Sequence, residues 1–254
     1  MLNGIDKYIL QGGFICYIIL FEIWLFIGGF MKKHRFYTEL SFLAAMLIMP
    51  VAVEFVKYAD FGMSMVVAPA YLVSVNVPFL SFGQAEYCLQ ALLILAMCIV
   101  LRKFKLTYLC SFLTAFIYGN ILDGIDLFMR YLPTDSIWLR VLYFAVGELL
   151  TAVSVSLFFH TYFTPQAYDF FVREISSNFS FNITKVKLIY DWSSFAVSVV
   201  LCVVTYFLTS QVQGVGVGTL ICAAINGFLI GAVSKFLEKH FDFKDGLKCR
   251  KFFE

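Results

Sequence analysis

Long apolar runs, each close to twenty residues and separated by short charged breaks, occupy nearly the whole sequence. A helix of that length crosses about 30 Å of hydrocarbon and bonds all its backbone groups internally, as a lipid solvent demands. Of the 254 residues, 61% are hydrophobic and 14% charged, whereas soluble domains carry about a quarter charged residues. The pattern predicts an all-α, polytopic transmembrane helical bundle of about seven spans: Tyr8–Phe30, Glu39–Tyr58, Phe82–Leu101, Leu106–Met129, Ile137–Phe159, Ile183–Leu208 and Val215–Leu237.

Two connectors stand apart: GMSMVVAPAYLVSVNVPFL after the second span and TPQAYDFFVREISSNFSF after the fifth. In the latter, Asp169, Arg173 and Glu174 would each cost about 2.5–3.5 kcal/mol at the bilayer centre. Both connectors read as short helices or re-entrant pieces at a membrane face, with Pro69 and Pro165 as breakers. Basic residues gather in alternate loops: Lys32, Lys33, His34 and Arg35, then Arg102, Lys103 and Lys105, then Arg173, Lys185 and Lys187, then Lys235 to Lys251. The expectation is a multi-pass protein of the bacterial cytoplasmic (plasma) membrane, N-terminus outside and C-terminus inside. Tyr8–Phe30 has no small-residue cleavage site and reads as a retained span.

The net charge of +2 is too small and scattered to call for nucleic acid. Cys16, Cys88, Cys98, Cys110, Cys202 and Cys222 lie inside apolar runs and read as packing residues. His34, His160 and His240 form no local metal motif. No metal, cofactor or catalytic nucleophile is expected. The sequons at Asn178 and Asn182 fall on the inside of this topology, where they would go unmodified.

A shift of 100 residues places Ser64 on Thr164, Gln84 on Thr184 and Tyr87 on Lys187. With eight further residues inserted, AFIYGNIL (115–122) falls on AAINGFLI (223–230). The chain then divides into an extra N-terminal helix and basic loop (1–38), two three-helix repeats (39–132 and 133–241) and a basic tail (242–254). Three crossings separate equivalent points, so the repeats are expected to be inverted, a plan of many secondary transporters.

The motifs FGMS and TPQAYD, followed by helices opening with FGQ or ITK and by GVGVGTLICAAINGFLIG, resemble the YczE/YitT-like bacterial integral membrane proteins over about residues 40–240. In that family the surface piece reads Gly-x-Ser-Pro-x-Asp. Gly62 and Ser64 keep its start in the first unit, and Pro165 and Asp169 echo the rest in the second. The resemblance implies the architecture of a membrane carrier rather than a particular substrate.

The alternating glycines of GVGVG lack the preceding strand of a dinucleotide fingerprint and the Lys-Ser/Thr pair of a P-loop. Gly214, Gly216 and Gly218 read as a turn and helix start, and Gly227 and Gly231 as a small-xxx-small face for close helix contact. Ionisable groups inside the bilayer face a partner, a cavity or a transport path. Glu148 and Glu22 fall near the middle of their spans, whereas Glu54, Glu86, Asp126 and Asp191 lie near enough to an interface to be wetted. Glu148 reads either as a carboxyl bonded to a neighbouring helix or as a proton or substrate site. In YGNILDGID, Gly119, Asp123 and Asp126 share one broad helix face that fits either a cation path or a solvated helix end. Asn120 and Asn226 sit on corresponding helices and read as a substrate-orienting pair, or as interhelical bonds worth about 0.6–2 kcal/mol. Glu86 and Gln84 complete the substrate- or ion-binding candidates. Lys187 and Asp191, at i and i+4, read as a structural ion pair. Fourteen tyrosines and thirty phenylalanines read mostly as lipid-facing bulk and interfacial belt.

Together these features point to an integral membrane secondary transporter of a small-molecule solute, open to proton or cation coupling. The alternative is a non-transporting substrate-binding or accessory subunit of a larger complex; the partners expected are the lipid bilayer, the solute and either a second copy of the chain or such a complex. An intramembrane enzyme, the third reading, lacks a clustered acid–base pair in sequence.

Overall fold

The structure, a computed structural model, describes residues 34–163, 166–210 and 213–247. The expected span Tyr8–Phe30, with Glu22, lies outside the described residues, as does Pro165. A short strand, β1 (His34–Tyr37), leads into α1 (Thr38–Ala59), followed by α2 (Ala68–Asn76), α3 (Phe82–Leu101) and α4 (Leu106–Met129). The order then recurs as α5 (Ile137–Phe159), α6 (Ala167–Asn178), α7 (Ile183–Thr209) and α8 (Val217–His240), closed by β2 (Phe241–Lys244). Six of the helices, α1, α3, α4, α5, α7 and α8, are long and apolar enough to cross a membrane. The chain is a multi-pass, all-α membrane protein.

Three spans, α3, α4 and α5, run between the residues where the apolar pattern breaks. The ends have local causes. Ser81 caps α3 in a capping box with Gln84, and the Asn182 side chain accepts from the backbone N–H groups of Thr184 and Lys185 at the start of α7. Asp60, Arg102 and Ser210 end α1, α3 and α7 in the left-handed conformation that stops a helix. Pro69 does not break a helix but begins one, at the first turn of α2, where its missing N–H costs nothing.

The longest helix contact joins α1 to α5 at the centre. It is tight because Gly147 on α5 lies against Ala52 and Val56 of α1, where a Cβ would meet the Ala52 carbonyl. Around this axis α4 packs on α1, and α8 on α5. Each short helix bridges the halves: α2 lies between α3 and α7, and α6 between α7 and α3. Apolar side chains of α1, α2, α3 and α4, including Met46, Val53, Ala68, Phe82 and Leu122, form the main core cluster.

The sequence gives no sign of the two-stranded parallel sheet, in which His34 pairs with Phe241 and Tyr37 with Lys244. It ties the start of α1 to the end of α8, so both lie at one face. His160, at the end of α5, stacks on Phe243 there, with its Nδ1 2.7 Å from the Ser156 carbonyl.

The path of α6 follows from its contacts. The Ala167 N–H donates to Gln90 Oε1 at 3.0 Å, and Gln90 lies about 12 Å along α3 from its first residue. Seven residues on, Glu174 accepts from Lys105 at 2.9 Å and from Tyr108 at 3.0 Å, beside the turn between α3 and α4. The helix therefore runs from the interior of the bundle to the face where α3 ends. A charged segment is accommodated because Glu174 reaches Lys105 and Tyr108 at that face, while Asp169, in the first turn, is paired with Lys187 of α7.

Candidate functional site

An open cavity of about 460 Å³ lies where α1 and α4 end and α3 begins. Its walls include Lys57, Tyr71, Ser81, Gln84, Asp123, Asp126 and Arg130, which brings together three of the residues nominated from sequence. Two of the three do structural work. Asp123 Oδ1 accepts from the Gly83 N–H at 2.8 Å and its Oδ2 from the Ser81 hydroxyl, while Gln84 Oε1 accepts from the Ser81 N–H at 3.1 Å. Both residues hold the first turn of α3, where orphan backbone donors and the helix dipole favour a carboxylate.

Asp126 belongs instead to a chain of charges leading inward. Arg130, 62% exposed, donates to Asp126 Oδ2 from Nε at 2.9 Å and from Nη2 at 2.7 Å. Lys57 donates to Asp126 Oδ1, and also to Glu54 Oε2 at 2.9 Å and Oε1 at 3.2 Å. Tyr58 adds a hydroxyl to Asp126 at 3.1 Å. Exposure drops from 62% at Arg130 to 14% and 18% at Asp126 and Lys57, and to 0% at Glu54. The interfacial, wetted position expected for Glu54 is thus wrong: it lies i−3 to Lys57 on the helix face buried against α4. Tyr71, on α2 at the cavity wall, is pushed up to about 12 by burial, and then by the Asp60, Glu54 and Asp126 carboxylates. It stays a neutral hydroxyl.

Beyond Glu54 lies a second, enclosed cluster. Glu86 on α3 is 0% exposed, so its expected contact with an interface is also wrong; the start of α6 covers it. Its Oε1 accepts from Gln90 Nε2 at 3.4 Å, and Tyr168 stands beside it. Tyr118 on α4 is within electrostatic reach of both Glu54 and Glu86, and its hydroxyl is beside Gln166. Among the described residues Glu86 Oε2, Tyr118 Oη, Tyr168 Oη and Gln166 Nε2 nevertheless find no hydrogen bond of good geometry. Four such atoms in one interior cluster are unusual, because buried polar groups are nearly always paired. Burial, with Glu86 next, pushes the Tyr168 phenol up. Its ring is 6.4 Å from that of Tyr190 on α7, whose surroundings include Asp169 and Asp191.

Glu148 is apart from both clusters, between α5 and α8. Its Oε1 accepts from the Cys222 thiol at 3.0 Å, and Asn226, one turn on, is its other polar neighbour. Among the described residues Glu148 Oε2 and Asn226 Oδ1 have no hydrogen-bond donor of their own. Asn120 is not the partner of Asn226: it is exposed and donates to its own helix, to the Phe116 carbonyl at 2.7 Å. The α4 and α8 helices lie on opposite sides of the α1–α5 pair, which keeps the two amides apart. Lys187 does not pair with Asp191. It donates to Asp169 on α6 at 2.9 Å, because the packing of α6 on α7 presents a nearer carboxylate. Nor, among the described residues, do Gly227 and Gly231 make a close helix contact, since no described atom of a neighbouring element lies within 4 Å of a Cβ built on either.

The residues missed from sequence are the tyrosines. Tyr58, Tyr108, Tyr118 and Tyr168 turn inward onto carboxylates or amides rather than toward lipid. For Tyr118 a signal was available: it sits near the middle of its span, far from either interfacial belt.

A family model described as a family of unknown function, DUF6198, matches residues 36–235. No curated protein and no solved structure matches the chain.

Proposed function

The chain belongs to the DUF6198 family, whose matched region takes in both polar clusters, and from that premise we propose that it is a secondary transporter of a small solute, coupled to a proton or cation. The observation that carries this reading is the descent of polar groups from an open cavity, through Arg130, Asp126, Lys57 and Glu54, to the enclosed Glu86 cluster. Intramembrane ionisable groups of this kind mark substrate or ion paths.

The recurring order of elements supports it. Spans α1, α3 and α4 precede α5, so the second unit starts from the opposite face to the first, as in inverted-repeat carriers. On this reading the two short helices enter from opposite faces. The start of α6 brings its positive dipole end inward, an arrangement such carriers use at binding sites. The face bearing β1, β2 and the basic α3–α4 turn is cytoplasmic by its lysines and arginines, which puts the cavity outside.

Purified full-length protein in proteoliposomes, screened against small polar solutes with an internal pH dye, tests the proposal. Solute-dependent proton movement that is lost in Asp126→Asn is the expected result. Absence of any solute response from folded protein across the screen would overturn it.

A further inference from the structure

The Glu86 cluster holds a carboxyl at the meeting point of two polar approaches, with a tyrosine on each. We propose that Glu86 is the proton-binding group of this protein, loaded from the cavity side through Tyr118 and unloaded through Tyr168 towards Tyr190. The inference rests on the transporter reading for its purpose, but not for its test.

Every element packed on Glu86 bears on it. Its own helix offers Gln90, whose Oε1 is committed to the Ala167 N–H. From α4 comes Tyr118, which is also within electrostatic reach of Glu54 of α1. The start of α6 gives Tyr168, with Gln166 just before it, and α7 gives Tyr190. On α2, Tyr71 packs on Phe82, one turn away, with ring centroids 5.5 Å apart. Among the described residues Glu86 forms no ion pair with a Lys, Arg or His. A bound metal cation would need several acceptor oxygens, usually carboxylates or carbonyls, and the unpaired atoms here offer one carboxylate oxygen, two phenols that both donate and accept, and an amide nitrogen that only donates. A proton suits such a set better.

The transfer balances without a phenolate. A proton that has reached the Glu54 carboxylate from cavity water passes to the Tyr118 oxygen as the Tyr118 O–H proton moves to Glu86 Oε2. One O–H bond breaks and one forms on Tyr118; Glu54 returns to carboxylate and Glu86 becomes a carboxylic acid. Unloading repeats the exchange: Glu86 gives its proton to the Tyr168 oxygen as the Tyr168 proton moves to Tyr190, whose own proton leaves past Asp191 and Asp169 to water. Glu86 is again a carboxylate.

Infrared difference spectroscopy of the full chain in detergent, stepped in pH with the proton as the probe, tests this. The expected result is a carboxylic-acid C=O band that titrates, shifts in D₂O, vanishes in Glu86→Gln and is displaced in frequency in Tyr168→Phe and Tyr118→Phe. A titrating band that survives unchanged in Glu86→Gln, or no titrating band in the wild type, would overturn the assignment. A band lost in Glu86→Gln but indifferent to both tyrosine variants would overturn the route. If Glu86→Gln does not fold, Glu86→Asp is expected to move the band, and an unmoved band counts against Glu86. No solute enters this measurement, so its failure leaves the transporter reading standing, and a failed solute screen leaves a titrating Glu86 standing.

Discussion

The α3–α4 pair is closed where its counterpart, α7–α8, is open. Gly83 and Gly119 press backbone on backbone: a Cβ on Gly83 would collide with the Gly119 carbonyl, and one on Gly119 with the Gly83 carbonyl and the Tyr87 ring. Helices α7 and α8 share no comparable contact, although α8 carries two glycines at a spacing of four. The polar side chains divide the same way. In the first half, ion pairs and a capped helix start surround the cavity; in the second, the polar contacts are dispersed, with Cys222–Glu148 and Ser156–Ile230 joining α5 to α8 and Lys187–Asp169 joining α7 to α6. A glycine contact lets helices approach closely enough for short polar side chains to span between them, so Asp123 can reach the first turn of α3 only because Gly119, one turn earlier, touches Gly83. Close approach and a polar cavity therefore go together in the first half, whereas the polar contacts of the second are made without a glycine-to-glycine helix contact.

The largest expected effect comes from Lys57. It separates Glu54 from Asp126, and Lys57→Met would leave two carboxylates facing each other with Glu54 fully buried. Removing one partner from a buried pair costs about 3–5 kcal/mol, and a comparable fall is expected in the detergent thermal melt. The double variant Lys57→Met/Glu54→Gln is expected to recover most of it. Failure to recover would show that the lysine stem, and not its charge, holds the first half together.

Gly83→Val comes next. Overpacking costs about 1–3 kcal/mol where neighbours can yield, and here the neighbour is main chain, so the upper end is expected. The melt should fall and Asp123 should lose its hold on α3, with faster amide exchange at Gly83 and Gln84. An unchanged melt would mean that the pair is as loose as α7–α8. For the second half, Cys222→Ala removes the thiol donor to Glu148 and should cost about 1 kcal/mol, the net worth of a hydrogen bond.

The spans were legible because an apolar run and its breaks are local: Leu106 to Met129 reads as a helix without knowledge of any neighbour. The two short helices were legible as interruptions, but the depth of α6 was not, since it depends on Gln90 accepting from Ala167 across 77 residues of sequence. Asp123 and Asp126 were found because a carboxylate in an apolar run is conspicuous, yet their roles diverge according to which helix each faces. Tyr118 and Tyr168 were passed over because a tyrosine in a membrane helix has an ordinary explanation at the interface. Gly227 and Gly231 show the reverse failure: spacing alone cannot tell a contact face from a bare one, because contact is a property of two helices.

That last point yields the smallest effect and the cleanest contrast. Gly227→Ala and Gly231→Ala place a methyl where no atom of a neighbouring element among the described residues lies within 4 Å, so packing within that part of the bundle does not change. What remains is the backbone term, in which alanine is favoured over glycine in a helix interior by about 0.5–1 kcal/mol in water. In a span whose hydrogen bonds persist in the unfolded-in-membrane state the gain should be smaller, so the melt should rise slightly or stay level. Gly83→Ala, the same chemical change, should lower it. If Gly227→Ala lowers the melt as Gly83→Ala does, something covers that face of α8 in the membrane, and the open half is closed by a surface other than α7.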